Sequence, residues 1–107
     1  MGRFRRGDVI LMNITGKMRP WLVVSNNINN YHGSKVNVVY VTTQDKKPLP
    51  VHSNIVYGNL DPSTICVEEM HTVIPPTHAR IIEHLPREYM AAVSECMRIQ
   101  FDIENCI

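Results

Sequence analysis

Residues 19–44, RPWLVVSNNINNYHGSKVNVVYVTTQ, contain two apolar runs separated by a polar, asparagine-rich segment. The first run, 21–25, has no polar alternation, which is typical of a strand buried on both faces. The second run, 35–41, is rich in valine and also favours a strand. The segment 26–34 has four asparagines and a glycine, which indicate a long connection rather than a tight hairpin. The stretch therefore predicts two neighbouring strands.

Arg19 begins the first of these strands, and Thr42 and Thr43 close the second. We expect the strands to bring Arg19 close to Thr42. An arginine beside a hydroxyl can hold a phosphate, because the guanidinium fork donates two charge-assisted hydrogen bonds and the hydroxyl adds a third. Only one of the two threonines can share a sheet face with Arg19, and periodicity does not choose between them. A surface cation and two β-forming threonines are the plainer alternative.

Further strands are predicted where short apolar runs are bounded by glycine and proline. They cover residues 8–14, 51–56 and 64–74. Glu68 and Glu69 interrupt the last region, so it is expected to be one bent strand or a pair of strands. Residues 78–84 are ambiguous, and a single helical turn is our preference there.

The last segment has the periodicity of a helix. Met90, Val93, Met97 and Phe101 recur at three- and four-residue spacing, so an amphipathic helix is expected over about residues 85–104. Strands come first and this helix comes last. The predicted fold is therefore mainly β with α: a small barrel, or strongly bent antiparallel sheet, with a C-terminal helix packed on it.

Length and composition fit one globular domain covering residues 1–107, with 44% hydrophobic and 20% charged residues. A chain this short buries a modest fraction of its surface, so dimerisation is a common way to cover leftover apolar area. The three cysteines, Cys66, Cys96 and Cys106, lack CxxC spacing, which argues against a disulfide framework and a zinc site. No segment resembles a signal peptide or a membrane span. We expect a protein of the reducing cytoplasm.

Charge is distributed unevenly along the chain, although the formal net charge is only +1. Residues 1–50 carry eight Lys/Arg and two carboxylates, a net charge of +6. Residues 51–107 carry three Lys/Arg and eight carboxylates, a net charge of −5. This asymmetry suggests a basic surface that attracts a polyanion. Two ordinary solvated faces are the alternative.

Five histidines invite an acid/base or metal hypothesis, but none forms an HxH or HExxH pattern, so no metal site is predicted. His52, just after the loop that follows Gln44, is the best acid/base candidate, and a structural histidine is the plainer alternative. Glu68 and Glu69 could supply a general base or a partner for Arg19. The cysteines lack a Cys/His context and are expected to be inert. No cofactor is expected.

Five motifs taken together resemble the MazF/PemK family of toxin ribonucleases. They are, in order, residues 6–9 (RGDV), 19–26 (RPWLVVSN), 41–44 (VTTQ), 49–52 (LPVH) and 63–74. With the final helix, the resemblance covers nearly the whole chain. It implies an SH3-like barrel, a homodimer, and metal-independent cleavage of single-stranded RNA at short sequences. It also implies a cognate antitoxin whose acidic, disordered tail covers the RNA groove.

The resemblance places the family's catalytic arginine on Arg19 and its catalytic threonine on Thr42 rather than Thr43. It implies that the RNA's own 2′-hydroxyl attacks the adjacent phosphorus. Arg19 would stabilise the extra negative charge and could protonate the leaving oxygen, while Thr42 positions the phosphate. Further residues are expected to bind substrate, namely Thr43, Gln44, Lys17 and His52.

The chain departs from the family pattern just before Arg19. Family members usually have a longer loop there, which bears glycine and glutamate and helps to cover the substrate, whereas this chain has only residues 15–18, TGKM. Two hypotheses follow. The chain is a sequence-specific endoribonuclease, or it is a catalytically inactive binding module on the same fold that engages a protein or nucleic acid. A metal- or cysteine-dependent enzyme has no supporting spacing.

Overall fold

The computed structural model describes residues 2–44, 46–60 and 62–104. The elements within these residues, in chain order, are β1 (Asp8–Asn13), β2 (Met18–Val23), α1 (Asn27–His32), β3 (Val36–Thr42), β4 (His52–Ile55), a 3₁₀ turn (Gly58–Leu60), β5 (Ser63–Val73), β6 (Arg80–His84) and α2 (Arg87–Gln100).

The strands form one antiparallel sheet in the order β4-β5-β3-β2-β1-β6. The two apolar runs quoted first, β2 and β3, are neighbours in its interior. Leu22 and Val23 on β2, and Val38 and Val39 on β3, are fully buried although consecutive residues point to opposite faces. The sequence-based prediction that the first run is buried on both faces is confirmed.

The sheet curls until its two edges are linked. The 3₁₀ turn after edge strand β4 reaches β6 at the opposite edge, where Asn59 N donates to Glu83 Oε2 at 3.0 Å and Asn59 Nδ2 donates to Ile82 O at 2.8 Å. Gly58 has a φ of +52°, and a Cβ there would lie 2.1 Å from Glu83 Oε2. Another residue at this position would strain the backbone and displace the Glu83 carboxylate, so glycine is favoured. The expected mainly β fold, a strongly bent antiparallel sheet with a C-terminal helix, is confirmed.

Two apolar clusters lie on the two faces of the curled sheet. α2 covers the first with Val93 and Cys96. The buried sheet and turn residues of this cluster are Val9, Leu22, Val24, Val39, Val41, Ile55, Leu60, Ile65, Val67 and Leu85. The second cluster contains Phe4, Ile10, Met12, Trp21, Val23, Val36, Val38, Tyr40, Cys66 and Ala79. Because both faces are apolar, the interior strands can be apolar at every position.

The connection between β2 and β3 contains the short helix α1, which the sequence analysis treated only as a loop. Asn26 caps this helix, because its Oδ1 accepts a hydrogen bond from Asn29 N at 2.8 Å. Asn30 is buried and donates from Nδ2 to Ser25 O at 2.8 Å. Asparagine favours both loops and helix N-caps, so the same residues permit either structure.

Residues 78–84 were predicted to form a helical turn, and this prediction is wrong because the segment contains β6. The strand pairs with the outer edge of β1, from Asp8 opposite His84 to Leu11 opposite Arg80. The partner lies at the far end of the sequence. Local pattern therefore cannot reveal the backbone hydrogen bonds that select a strand here.

The region around Glu68 and Glu69 forms one bent strand, β5, rather than a pair. The register against β3 shifts between Val39, which faces Met70, and Tyr40, which faces Cys66. The intervening residues of β5 form a bulge, which bends the strand and re-aims its side chains.

The C-terminal helix α2 confirms the predicted amphipathic helix with narrower bounds. Pro86 is its N-cap, and the helix ends at Gln100. Val93 is fully buried, whereas Phe101 beyond the helix is exposed. None of the helices in the described ranges is long and apolar enough to span a membrane.

Asp8 joins β1, β6 and the N-terminal segment. Its side chain is only 1% exposed. Oδ1 accepts a hydrogen bond from His84 Nδ1 at 2.7 Å, and Oδ2 accepts one from Arg5 N at 2.7 Å. A buried carboxylate is stable only when its oxygens are paired or hydrogen bonded, so these contacts fix the chain around Asp8.

We predict that Asp8→Ala lowers the free energy of unfolding by about 2–4 kcal/mol, because the His84 and Arg5 donors lose their acceptor. Urea denaturation followed by circular dichroism measures this change. Glu95→Ala is the control, since Glu95 is 65% exposed in its pair with Arg98 and such pairs contribute about 0–1 kcal/mol. Equal losses for the two variants would contradict the role assigned to Asp8.

Candidate active site

The hydrogen-bonded ladder between β2 and β3 ends at the Trp21–Tyr40 pair. Along β2 the peptide groups alternate in direction: Val24 N donates toward β3, whereas Val23 O accepts from the N-terminal segment on the β1 side. Continuing this alternation turns the nitrogen of Pro20 toward β3, where it has no proton to donate. Proline therefore ends the ladder, and the ends of β2 and β3 beyond the Trp21–Tyr40 pair are not paired with each other, which we call the open end of the two strands.

Arg19 lies opposite Thr42 when the β2–β3 register is continued past this point. The Trp21–Tyr40 pair fixes the register, and residues two positions away on each strand share its face. The Arg19 Cζ lies 5.6 Å from the centre of the Tyr40 ring on that face. Such a cation–π contact contributes roughly 0.5–1 kcal/mol at a partly exposed site. It holds the guanidinium near β3, the strand that ends in Thr42.

Thr42 is 3% exposed and its Oγ1 accepts a hydrogen bond from Gln44 N at 3.1 Å. That contact uses an oxygen lone pair and fixes the side chain, while the hydroxyl proton has no acceptor in residues 2–44, 46–60 and 62–104. Thr43 and Gln44 are exposed just beyond the strand end. The structure thus brings the Thr42 hydroxyl, rather than that of Thr43, onto the face of Arg19.

Lys17 lies in the turn between β1 and β2 and is exposed. The turn is held by Asn13 Oδ1, which accepts from Gly16 N at 3.0 Å, and Gly16 has a φ of +100°. This turn is tight and too short to cover the ends of the strands. Lys17 directly precedes β2, so it lies at the same end of the strand as Arg19.

A row of polar side chains continues from Arg19 and Thr42 across the sheet to β5 and β4. Its members on β5 and β4 were not predicted from the sequence. Thr64 on β5 is the ladder partner of Thr42, and Asn54 on β4 is the ladder partner of Thr64. Thr64 Oγ1 donates to Asn54 Oδ1 at 3.1 Å. A cavity of about 280 Å³ adjoins this row and is also lined by Thr43 and Gln44. Only the strand register could have revealed it.

His52 lies on β4, which β5 separates from β3. With strands about 4.8 Å apart, the side chain is roughly 10 Å from β3. Its Nδ1 contacts Lys47 O at 2.8 Å, and its Nε2 contacts Glu68 Oε2 at 2.7 Å. Glu68 therefore pairs with His52 and not with Arg19. His52 reaches a ligand only if one of these hydrogen bonds is exchanged.

Cys66 is the ladder partner of His52 and is 1% exposed. Burial and the Glu68 carboxylate raise the pKa of its thiol to about 11; Lys46 lowers this pKa to a smaller extent, and Glu69 raises it slightly further. The donor atoms of His52, Cys66 and Glu68 lie within 4.8 Å of one another, and we call these three residues the His-Cys-Glu cluster. Spacing along the chain did not reveal it, because strand pairing brings the residues together.

The open end of β2 and β3 can bind an oxyanion. Arg19 supplies a permanent positive charge with a fork of donors, and Thr42 supplies a fixed hydroxyl. A phosphodiester between them would be contacted from both strands. The exposed Lys17 and the polar row, Thr64 and Asn54, extend the polar surface on either side of that position.

A family model described as “PemK-like, MazF-like toxin of type II toxin-antitoxin system” matches residues 5–101. The chain belongs to this family. The matched segment contains Arg19, Thr42 and the whole sheet. The resemblance drawn from the five sequence motifs is therefore confirmed.

A relative named endoribonuclease EndoA, from Bacillus subtilis (strain 168), is 32% identical over 106 residues and covers 89% of this chain and 91% of its own length. An endoribonuclease solved in complex with its cognate antitoxin, from a mycobacterial species, has a TM-score of 0.85 at 19% identity over 94% of this chain and 96% of that one. MazE–MazF from Deinococcus radiodurans (Form-II) has a TM-score of 0.77 at 18% identity over 92% of this chain and 94% of that one. The fold is shared with both.

We predict that the Cys66 thiol reacts slowly with iodoacetamide in the folded protein. A pKa raised from 9.0 to about 11 lowers the thiolate fraction near pH 8 about a hundredfold, and burial adds to this protection. Mass spectrometry of the peptide that carries Cys66 would compare labelling in the folded protein and in urea. Equal labelling rates in the two states would contradict the buried, protonated thiol.

Proposed function

We propose that this protein is an endoribonuclease that cleaves single-stranded RNA at Arg19 and Thr42. The observation that carries the proposal is the placement of an arginine and a fixed hydroxyl on one face at the open end of β2 and β3. Family membership and the 32% identical relative named endoribonuclease support the same activity. The uneven charge of the chain suits a polyanionic substrate.

The proposed reaction is an internal displacement at phosphorus. The ribose 2′-hydroxyl loses its proton to water and forms a bond to the adjacent phosphorus, and the bond from phosphorus to the 5′-oxygen breaks. The leaving 5′-oxygen takes a proton from Arg19 or from water. The products are a 2′,3′-cyclic phosphate and a 5′-hydroxyl.

Arg19 and Thr42 have separate roles in this step. Charge builds on the non-bridging oxygens as the phosphorus becomes five-coordinate, and preorganised donors stabilise that charge more strongly than water does. Arg19 supplies the positive charge and two donors. Thr42, held by the Gln44 backbone, donates its hydroxyl proton and fixes the position of the phosphate. Neither role requires a metal ion, so we propose metal-independent cleavage.

Sequence specificity is proposed to come from the surfaces that flank the scissile phosphate. Thr43, Gln44 and Asn54 line the cavity of about 280 Å³ beside the polar row and offer donors and acceptors to a base. The tight turn before Arg19 covers little surface. We therefore expect this chain to read fewer nucleotides on that side than relatives with a longer loop.

The proposed protein partner is a cognate antitoxin with an acidic tail. One of the similar structures is an endoribonuclease in complex with its cognate antitoxin. An acidic segment can occupy the surface around Arg19 and Lys17, because carboxylates and phosphates take the same guanidinium and ammonium contacts. The antitoxin would thus compete with RNA for one site in the cytoplasm.

A homodimer is the proposed assembly. Large apolar side chains remain exposed around the fold, including Val56, Ile81, Ile99 and Phe101. A second copy of the chain would remove some of this apolar surface from water. Sedimentation velocity would report the assembly directly.

The competing proposal is a binding module without nuclease activity, which the tight turn between β1 and β2 favours. That turn leaves the Arg19 end uncovered, and an uncovered site excludes less water from a reacting phosphate. Rapid cleavage of RNA by the purified protein would dispose of this alternative.

We predict that Arg19→Ala slows RNA cleavage about 100- to 1,000-fold, because a preorganised donor to the reacting phosphate is lost. Thr42→Val, which replaces the hydroxyl by a methyl group, is expected to slow cleavage at least about tenfold, whereas Thr42→Ser retains most activity. Purified protein, a long RNA and EDTA suffice for the measurement by gel electrophoresis.

The matched control for the arginine is Arg80→Ala, at an exposed position of β6, which should change the rate less than about threefold. A single 2′-deoxy nucleotide at the cut site should abolish cleavage. If the wild-type protein makes no cuts in EDTA, or if Arg19→Ala cuts RNA at close to the wild-type rate, the proposed function is wrong.

We predict that Lys17→Ala weakens binding of a non-cleavable, 2′-O-methyl RNA and lowers the salt dependence of its affinity. Loss of one contact to a single-stranded phosphate backbone should reduce the slope of log affinity against log salt by about 0.7. Fluorescence anisotropy at several salt concentrations measures this slope. An unchanged slope would show that Lys17 makes no phosphate contact.

A further inference from the structure

We propose that the His-Cys-Glu cluster is a Zn²⁺ site. Its donors are an imidazole nitrogen of His52, Sγ of Cys66 and a carboxylate oxygen of Glu68, and these atoms lie within 4.8 Å of one another. Zn²⁺ binds imidazole, thiolate and carboxylate ligands, and three protein ligands leave a fourth tetrahedral position for water. Bonds of about 2.0–2.3 Å place tetrahedral ligands roughly 3.3–3.8 Å apart, so side-chain shifts of about 1 Å close the site.

The orientation of His52 is that of a metal ligand. Its Nδ1 faces Lys47 O at 2.8 Å, and a backbone carbonyl accepts only from a protonated Nδ1. Metal-bound histidines commonly donate their second N–H in this way, which fixes the ring and turns the other nitrogen to the metal. In this protein that other nitrogen, Nε2, points at Glu68.

Zn²⁺ would replace the contact between His52 and Glu68, whose Nε2 and Oε2 atoms lie 2.7 Å apart. Cysteine binds Zn²⁺ as thiolate, so binding would release the thiol proton of Cys66, and the charge of the ion would stabilise the thiolate that forms.

The surroundings suit a divalent cation. The charges that act on Cys66 are the carboxylates of Glu68 and Glu69 and the ammonium of Lys46, which leaves an excess of negative charge. The side chain of Glu68 is 35% exposed, whereas that of His52 is 7% exposed. An ion can therefore enter past the Glu68 carboxylate and reach the two buried ligands.

The backbone holds the ligands on neighbouring strands. His52 and Cys66 are ladder partners on β4 and β5, and Glu68 lies in the β5 bulge. A bound ion would tie the short edge strand β4 to the interior of the sheet. This proposal is independent of RNA cleavage, because its occupant takes no part in the reaction at Arg19 and Thr42.

Co²⁺ titration of the full-length reduced protein tests the site spectroscopically. A tetrahedral Co²⁺ with a thiolate ligand gives a sulfur-to-metal charge-transfer band in the near ultraviolet and intense visible bands. We expect both in the wild-type protein. We also expect them in a Cys96→Ser, Cys106→Ser double variant, which leaves Cys66 as its one thiol, and we expect the charge-transfer band to vanish in Cys66→Ser.

Glu68→Gln is the second variant, because its partly exposed side chain can change without a cavity in the core. Zn²⁺ affinity, measured by competition with a chelating dye, should fall at least about tenfold in Glu68→Gln and in His52→Gln. Zn²⁺ should raise the Tm of the wild-type protein more than that of Glu68→Gln. Absence of the charge-transfer band, its persistence in Cys66→Ser, or equal Zn²⁺ affinity in wild type and Glu68→Gln would overturn the proposal.

Discussion

The candidate active site depends on a missing hydrogen bond, the one that Pro20 cannot donate to β3. Before this residue, β2 and β3 are paired and buried on both faces, so their register is fixed. Beyond it the two strands are not paired, and the continued register places Arg19 and Thr42 opposite each other on one sheet face. A residue with an N–H at position 20 could extend the ladder and draw the two strand ends together.

The contacts around this opening restrict the two side chains before any ligand arrives. The Tyr40 ring lies under the Arg19 guanidinium, and the Gln44 backbone donates to the Thr42 hydroxyl. Preorganisation of this kind matters for catalysis, because donors that are already aligned cost no reorganisation when charge develops. The same sheet face carries the His-Cys-Glu cluster farther along, where carboxylates rather than cations dominate. By our proposals, one face thus carries both an anion site and a cation site.

Sequence alone predicted the elements whose pattern reflects burial, and it missed those that depend on distant partners. The apolar runs of β2 and β3 and the periodicity of α2 were informative because the core imposes them directly. β6 was mistaken for a helical turn because its partner, β1, lies at the other end of the chain. Asn26 was assigned to a loop because a helix cap and a loop select the same side chain.

The candidate site, like the fold, could be predicted only in part from the sequence. Arg19 and the threonine pair follow from strand order, but periodicity left Thr42 and Thr43 equivalent, and the family resemblance chose between them. The role of Cys66 beside His52 could not be foreseen, because residues paired across strands leave no spacing signal. Thr64 and Asn54 were missed for the same reason.

The central claim is that Arg19 and Thr42 hold one phosphate together. A crystal structure with a short RNA that carries a single 2′-deoxy nucleotide tests it most directly, since that RNA binds without being cut. The account predicts the phosphate that follows this nucleotide within about 3 Å of both the Arg19 guanidinium and the Thr42 Oγ1. A bound RNA whose phosphates contact neither group, or contact only one of them, would contradict it.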